Sequence, residues 1–456
     1  MKYLITFFCV CLFASQELIS AQSYTKEERI YWLSKIWKDV SNNFYDTQKL
    51  RAMNWDSIYI SYLPKVESVE KKCDYYGILS EFIGLLHDEH SGFYNRGGCS
   101  EEDSSNDGLP FQIATADGRF YVSRVLQELT DSIPLGSELL TVENQPVLEY
   151  LSKKIIPVMN GNTPQVRLKK ALSQFSTGIA DKSIHIQIKT PQGIIREKEV
   201  QYNSSQFVNT SSLSILKKKG RGNRLSFNQD IKHIPYYYFR FDDFEVDEVS
   251  AGINQFVDSI RLADYLVLDL RRNPGGSEAI ADSLLMCFLD IDTLKTYPSI
   301  TRINHAYYAA KGYGYPEYKD YYEETAVDTF PEEIVVKQNL PYFNQSLFVL
   351  ISDETCSAAE DFLITLKLHY QDRAILIGTP TSGSTGAPLV RLLNPDVYYR
   401  ICTRVPLLPK GLFENGIQPD YYYSSGWEEM VSGEDHIFKL IAEIYDKNLK
   451  NKNESK

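Results

Sequence analysis

Two short stretches in the last third of the chain carry residues whose types and spacing could support acyl transfer. In LFVLISDETCSAAEDFL, residues 347–363, an apolar run stops at polar residues and delivers Ser357 to the start of a helical pattern. In YLVLDLRRNPGG, residues 265–276, a second apolar run delivers Gly275 and Gly276 to a turn. A serine at a helix start, met by backbone N–H donors from a glycine turn, supplies a nucleophile and a place for an oxyanion. Each stretch also has an ordinary reading. Ser357-Ala-Ala-Glu360 fits a capping box that closes a helix with no chemistry. Asn273-Pro-Gly-Gly276 fits a plain turn. Cys356 is a second conceivable nucleophile, although a small buried residue is its expected role.

Runs this short and this rich in Val, Ile and Leu read as buried strands of a parallel or mixed sheet, each leading into a helix. Further strands are expected over 236–241 and 374–378, with a helix over 246–262 between the first of these and the glycine turn. A tyrosine-rich insertion follows over about 290–341, and a loop of small residues over 379–387. Upstream, residues 27–43 and 75–86 place apolar residues at helical spacing, and the second stretch ends in Leu86-His-Asp-Glu-His-Ser91. Between these parts, Asp117-Gly118 marks a hairpin and Ile184, Ile186 and Ile188 alternate with polar residues.

The chain has 456 residues, enough for two or three domains, and is 43% hydrophobic and 24% charged, as globular chains are. A net charge of -12 argues against non-specific contact with nucleic acid or anionic membrane. Lys2, the apolar stretch from Tyr3 to Ala14 and Ile19-Ser20-Ala21 before Gln22 read as a secretory signal, too short to span a bilayer. The mature protein is therefore expected outside the cytoplasm, periplasmic or extracellular, with no membrane span. There is no C-x-x-C pair, so zinc or thiol redox chemistry is not expected. Cys73 and Cys99 could form a disulfide, and nothing in their spacing decides it.

The expected organisation is a signal peptide over 1–21, an N-terminal helical region over 22–100, a β-rich domain over 104–205, a polar linker over 206–223, an α/β core over 224–447 with a mixed sheet, and a disordered tail over 448–456. Gly136-Ser-Glu-Leu-Leu-Thr-Val-Glu-Asn-Gln-Pro-Val147 resembles a PDZ domain, with Glu143-Asn144 where Asn-Gly is usual. That resemblance implies an extended peptide added to a sheet edge, often held by its C-terminal carboxylate.

Four motifs then occur in order: Asp269-Leu-Arg-x-Asn-x-Gly-Gly276, Ser357-Ala-x-Glu360, Gly378-x-x-Thr-x-Gly383, and Glu414-Asn-Gly-Ile-x-Pro-Asp420. With the preceding helical and PDZ-like parts, they resemble the tail-specific, or C-terminal processing, protease family, and within it the tricorn-type peptidases. The resemblance implies a serine endopeptidase acting on a peptide or protein substrate, with no metal or organic cofactor. In the family's Ser/Lys design a lysine follows the small-residue loop; here Ser384 stands there, and the next lysine is Lys410. In the Ser/His design the base comes from the end of the helical region, which implies His90, with His87 as its rival. An imidazole accepts a proton at neutral pH without tuning.

The implied site has Ser357 as nucleophile, His90 as base, and the backbone N–H of Ala358 with that of Gly275 or Gly276 as oxyanion donors. Glu414 matches the glutamate that orients the histidine in tricorn-type peptidases through a serine just before it; here Glu89 occupies that serine position. Asp88, Glu89 or Ser91 could orient His90 instead. The alternative is a non-catalytic protein binding apolar ligands or peptides on the same scaffold, as the related retinoid-binding proteins do. Substrate, cleavage preference and oligomeric state are not legible in the sequence.

Overall fold

The structure, a computed structural model, describes residues 24–99, 104–203, 212–217, 220, 222–244, 253–336 and 341–454. The expected signal segment, and the first turns of the helix expected over 246–262, lie outside these residues. Among the described residues no helix is long and apolar enough to cross a membrane.

The two apolar runs are adjacent parallel strands, Tyr265–Asp269 and Ser346–Ile351, at the centre of a six-stranded sheet. Its order is Arg224–Gln229, Pro235–Arg240, Tyr265–Asp269, Ser346–Ile351, Ala374–Gly378 and Tyr421–Tyr422. Only the first pair is antiparallel, so the sheet is mixed as expected. Side-chain alternation divides the buried strands between two cores. Leu266, Leu268, Val349 and Ile351 pack with the helices Glu278–Met286 and Ala358–His369 on one face. Tyr265, Val267, Phe348 and Leu350 pack under the helix Ile437–Glu454 on the other. Covering both faces is what allows these strands to be apolar at every position. The last helix carries through residues 448–454, where disorder was expected.

The helical region, with helices Lys26–Asn43, Thr47–Ala52, Trp55–Ser68 and Lys72–Gly84, has no separate core. Leu33, Ile36, Val40, Leu79, Phe82 and Ile83 share one with Val397, Tyr399 and Ile401 of the strand Val397–Cys402. The strand Gly92–Asn95 pairs antiparallel with that same strand, Gly92 opposite Arg400 and Tyr94 opposite Tyr398. The end of the helical region is thereby locked to the C-terminal part. A disulfide joins Cys73 to Cys99.

The β-rich unit is a seven-stranded sheet with the helices Val147–Lys154 and Pro164–Phe175 and a core of its own. Asp117 and Gly118 both take positive φ, as do Glu143 and Asn144, the geometry of two-residue hairpin turns. Part of the expected linker belongs to this sheet: Ser212–Ser214 pairs with Arg119–Leu126. The tyrosine-rich insertion builds two small sheets, one of them anchored by Ser299–Arg302 pairing with Arg404–Pro406.

Candidate active site

Ser357 sits between the end of Ser346–Ile351 and the helix Ala358–His369, with φ 55° and ψ −128°. A non-glycine residue rarely adopts that backbone, and holding it there costs on the order of 1–3 kcal/mol. Cys356 N–H donates to Asn273 O at 3.0 Å, and Ser357 N–H donates to Ser384 O at 2.9 Å, so both flanking loops pin the turn. The Ser357 side chain makes no cap bond to its helix. Its Oγ instead lies 3.0 Å from His90 Nε2, although the two residues are 267 positions apart.

His90 is buried in the turn between Lys72–Gly84 and Gly92–Asn95. Its Nδ1 lies 2.7 Å from Ser384 Oγ. For Nε2 to accept from Ser357, Nδ1 must carry the proton and donate to Ser384. Burial lowers the pKa of His90, opposed by Asp88 and Glu89 and reinforced by Arg400 and Arg404, so the imidazole stays neutral and able to accept a proton. His87 is engaged elsewhere, with Nδ1 2.9 Å from Met159 O.

The acidic residues fall differently from expectation. Glu414 is exposed and, among the described residues, bonds neither to His90 nor to Ser384. Its segment supports the site by other atoms. A Cβ on Gly416 would meet Thr381 O at 2.2 Å, and Ile417 N–H donates to Thr381 Oγ1 at 2.7 Å. The carboxylate linked to the site is Glu360, which is fully buried. It accepts from Thr381 Oγ, from Gly383 N–H at 2.8 Å and from Ser384 N–H at 2.8 Å. Burial pushes its pKa up to about 8, against these three bonds. Glu360 thus holds the loop that presents Ser384 to His90, and no capping box forms.

Of the residues beside His90, Ser91 Oγ accepts from Cys402 N–H at 3.0 Å, and Glu89 pairs with Lys170 at 3.0 Å and accepts from Ser382. Asp88 is buried with Oδ1 unpartnered, and burial raises its pKa against the pull of nearby His90. None of the three bonds the imidazole directly.

Gly275 needs to be glycine. Its φ is +106°, and a Cβ there would lie 2.5 Å from Ser357 Cβ and 2.9 Å from Ala358 N. Its N–H, expected as an oxyanion donor, donates to Asn273 Oδ1 at 2.9 Å and closes the turn instead. The N–H groups of Gly276 and Ala358 have no protein acceptor among the described residues. Cys356 is not poised for attack: burial, then Glu360 and Glu89, raise its thiol well above the ordinary value. Among the described residues no lysine bonds to Ser357. The site opens into a cleft of about 1020 Å³ between the core and the helix Pro164–Phe175.

Residues 236–423 match peptidase family S41, and residues 25–84 match the tricorn protease C1 domain. The chain is a serine peptidase. It belongs to the tail-specific protease family. The structure of mature CPAF shares the fold at a TM-score of 0.65 and 18% identity, covering 92% of this chain and 98% of that one. Mature CPAF complexed with lactacystin is similar at 0.64 and 16%, covering 92% and 99%. No curated protein matches the sequence significantly.

Proposed function

We propose that the chain is an exported serine endopeptidase working through a Ser357–His90 acyl-enzyme mechanism. The observation that carries this reading is the 3.0 Å contact between His90 Nε2 and the side chain of Ser357. Ser357 Oγ attacks the scissile carbonyl while its proton passes to His90 Nε2. Ser384 holds the opposite ring nitrogen, and Glu360 holds Ser384 through its backbone. The N–H groups of Ala358 and Gly276 receive the oxyanion, with the start of the helix Ala358–His369 adding favourable potential. His90 then protonates the leaving amine, and water attacks the acyl-enzyme with His90 again as base. Export is supported by the N-terminal pattern and by the Cys73–Cys99 disulfide, which persists in oxidising compartments.

The β-rich unit is proposed to act as a PDZ-like docking domain. Among the described residues the strand Phe111–Ala116 pairs on one side only, with Arg119–Leu126, and faces the helix Pro164–Phe175 across a groove of about 1130 Å³. An added peptide strand fits that edge. Hydrolysis of an unfolded protein by wild type, lost in both Ser357→Ala and His90→Ala with folding retained, is the expected result. Equal turnover of free and amidated C-termini would argue that the groove reads no carboxylate.

A further inference from the structure

Among the described residues, the cleft beside Ser357 is lined by the cations Lys169, Lys170, Arg272 and Arg400, and three of them have carboxylate partners. Lys170 pairs with Glu89 at 3.0 Å, Lys169 with Asp353 at 3.4 Å and with Glu354 at 2.5 Å, and Arg272 with Asp242 at 3.8 Å. The fourth, Arg400, has no carboxylate within ion-pair reach among the described residues, and its buried Nε has no acceptor. Glu89, the carboxylate next to His90, is already held by Lys170 and Ser382.

The position of Arg400 is built rather than incidental. It lies opposite Gly92, two residues beyond His90, in the antiparallel pair Gly92–Asn95 with Val397–Cys402. The Tyr94 ring fills the space a side chain at Gly92 would need, a Cβ there meeting the Tyr94 hydroxyl at 3.1 Å, and the guanidinium lies 5.0 Å from the centre of that ring and 5.7 Å from that of Tyr398. Those rings stack on each other at 4.9 Å. The register of one strand pair therefore fixes both the histidine and a cation in the same cleft. An arginine braced on aromatic faces keeps its planar donor fork while losing little freedom on binding an anion.

We propose that Arg400 is a specificity-determining residue that binds a carboxylate of the substrate, either an acidic side chain near the scissile bond or a free C-terminus. This rests on the peptidase reading above. A bound carboxylate would replace the missing partner and form charge-assisted bonds in a cleft partly shielded from water.

The test uses quenched-fluorescent peptides that differ only as Asp against Asn at each position flanking the scissile bond, and as free against amidated C-terminus. Wild type is expected to favour the anionic member at one position by about tenfold or more in kcat/KM, chiefly through KM. Arg400→Gln should bring that ratio near one, Arg400→Glu below one, and Arg400→Lys between. A preference confined to side chains or to C-termini identifies the source. Because Arg400 also lowers the pKa of His90, its loss should shift the pH profile equally for both members of a pair; only recognition changes their ratio. Rising salt should erode the wild-type preference, which needs no variant. A wild type indifferent to charge, a preference surviving in Arg400→Gln, or losses equal for both members would each overturn the proposal. Absence of any hydrolysis and of any serine labelling in wild type would instead overturn the peptidase reading, and this inference with it.

Discussion

Thr25-Lys-Glu-Glu28 and Ser357-Ala-Ala-Glu360 share one pattern at a helix start, and the fold uses them in opposite ways. At Thr25 the backbone is extended, with φ −60° and ψ 160°, and the capping box closes. Thr25 Oγ1 accepts from Glu28 N–H at 3.2 Å, and Thr25 N–H donates to the Glu28 carboxylate at 2.8 Å. At Ser357 the backbone is strained, neither reciprocal bond forms, and both side chains turn to distant partners, Ser357 to His90 and Glu360 to the loop 381–384. A motif that stabilises one helix locally has been left unsatisfied at the other, where the same atoms meet residues far away in sequence. Local patterns break in this way where function competes with stability.

The largest expected effect separates the two sites. Ser357→Gly should abolish peptidase activity by at least about 10⁴-fold while raising stability by about 1 kcal/mol, since glycine accepts the strained backbone. Kinetics and denaturant unfolding of the same preparation check both halves. A destabilised Ser357→Gly would remove the claim that strain is held there.

Glu360→Ala should strip acceptors from two buried N–H groups and one hydroxyl, costing about 1–3 kcal/mol for each group left unpaired, and should lower kcat about 10- to 100-fold by loosening Ser384. Glu360→Gln should be milder, because a carboxyl titrating at about 8 is largely protonated at neutral pH. The sign of the pH dependence follows. The pKa values of Glu360, Asp282 and Asp361 are raised to about 8, about 7 and about 6, chiefly by burial. Their favourable contribution is complete below the ordinary carboxyl range and is lost as pH rises through these values. Unfolding at pH 5 and pH 8 should show the lower stability at pH 8, with a smaller difference in Glu360→Gln.

Thr25→Ala should cost about 1 kcal/mol and leave kcat/KM unchanged, as loss of an ordinary cap does. The smallest effect is expected at Glu414. As an exposed residue with no bond to His90, Glu414→Gln should retain activity within about twofold, consistent with a substitution far from any named mechanism. A loss of a hundredfold would restore it as the orienting acid and displace Glu360.

The strands that deliver Ser357 and the glycine turn were legible because sheets covered on both faces demand unbroken apolar runs. Asp117-Gly118 was legible because its turn type selects those residues. Glu360 was hidden by its own motif: S-x-x-E is satisfied locally in most chains, and only tertiary contact with Thr381, Gly383 and Ser384 shows otherwise. Ser384 appeared in the sequence only as the place where a lysine was missing. Its hydroxyl now occupies the far side of the imidazole. The helix continuing over 448–454 has a polar sequence there, and its apolar anchors Ile437, Ile441 and Ile444 lie upstream, so that stretch read as tail. The dependence of the helical region on Val397, Tyr399 and Ile401 could not be read from spacing, since the two segments lie some three hundred residues apart.

The central claim is that Ser357 is a nucleophile activated by His90. Its most direct test is the rate of labelling by a fluorophosphonate, with the modified residue located by mass spectrometry, across pH 5 to 8. The account expects a single adduct on Ser357, a rate that holds at neutral pH and falls only as acid protonates an imidazole whose pKa burial has lowered, and a loss of at least about 10³-fold in His90→Ala. An adduct elsewhere, or labelling of Ser357 undiminished in His90→Ala, would contradict it.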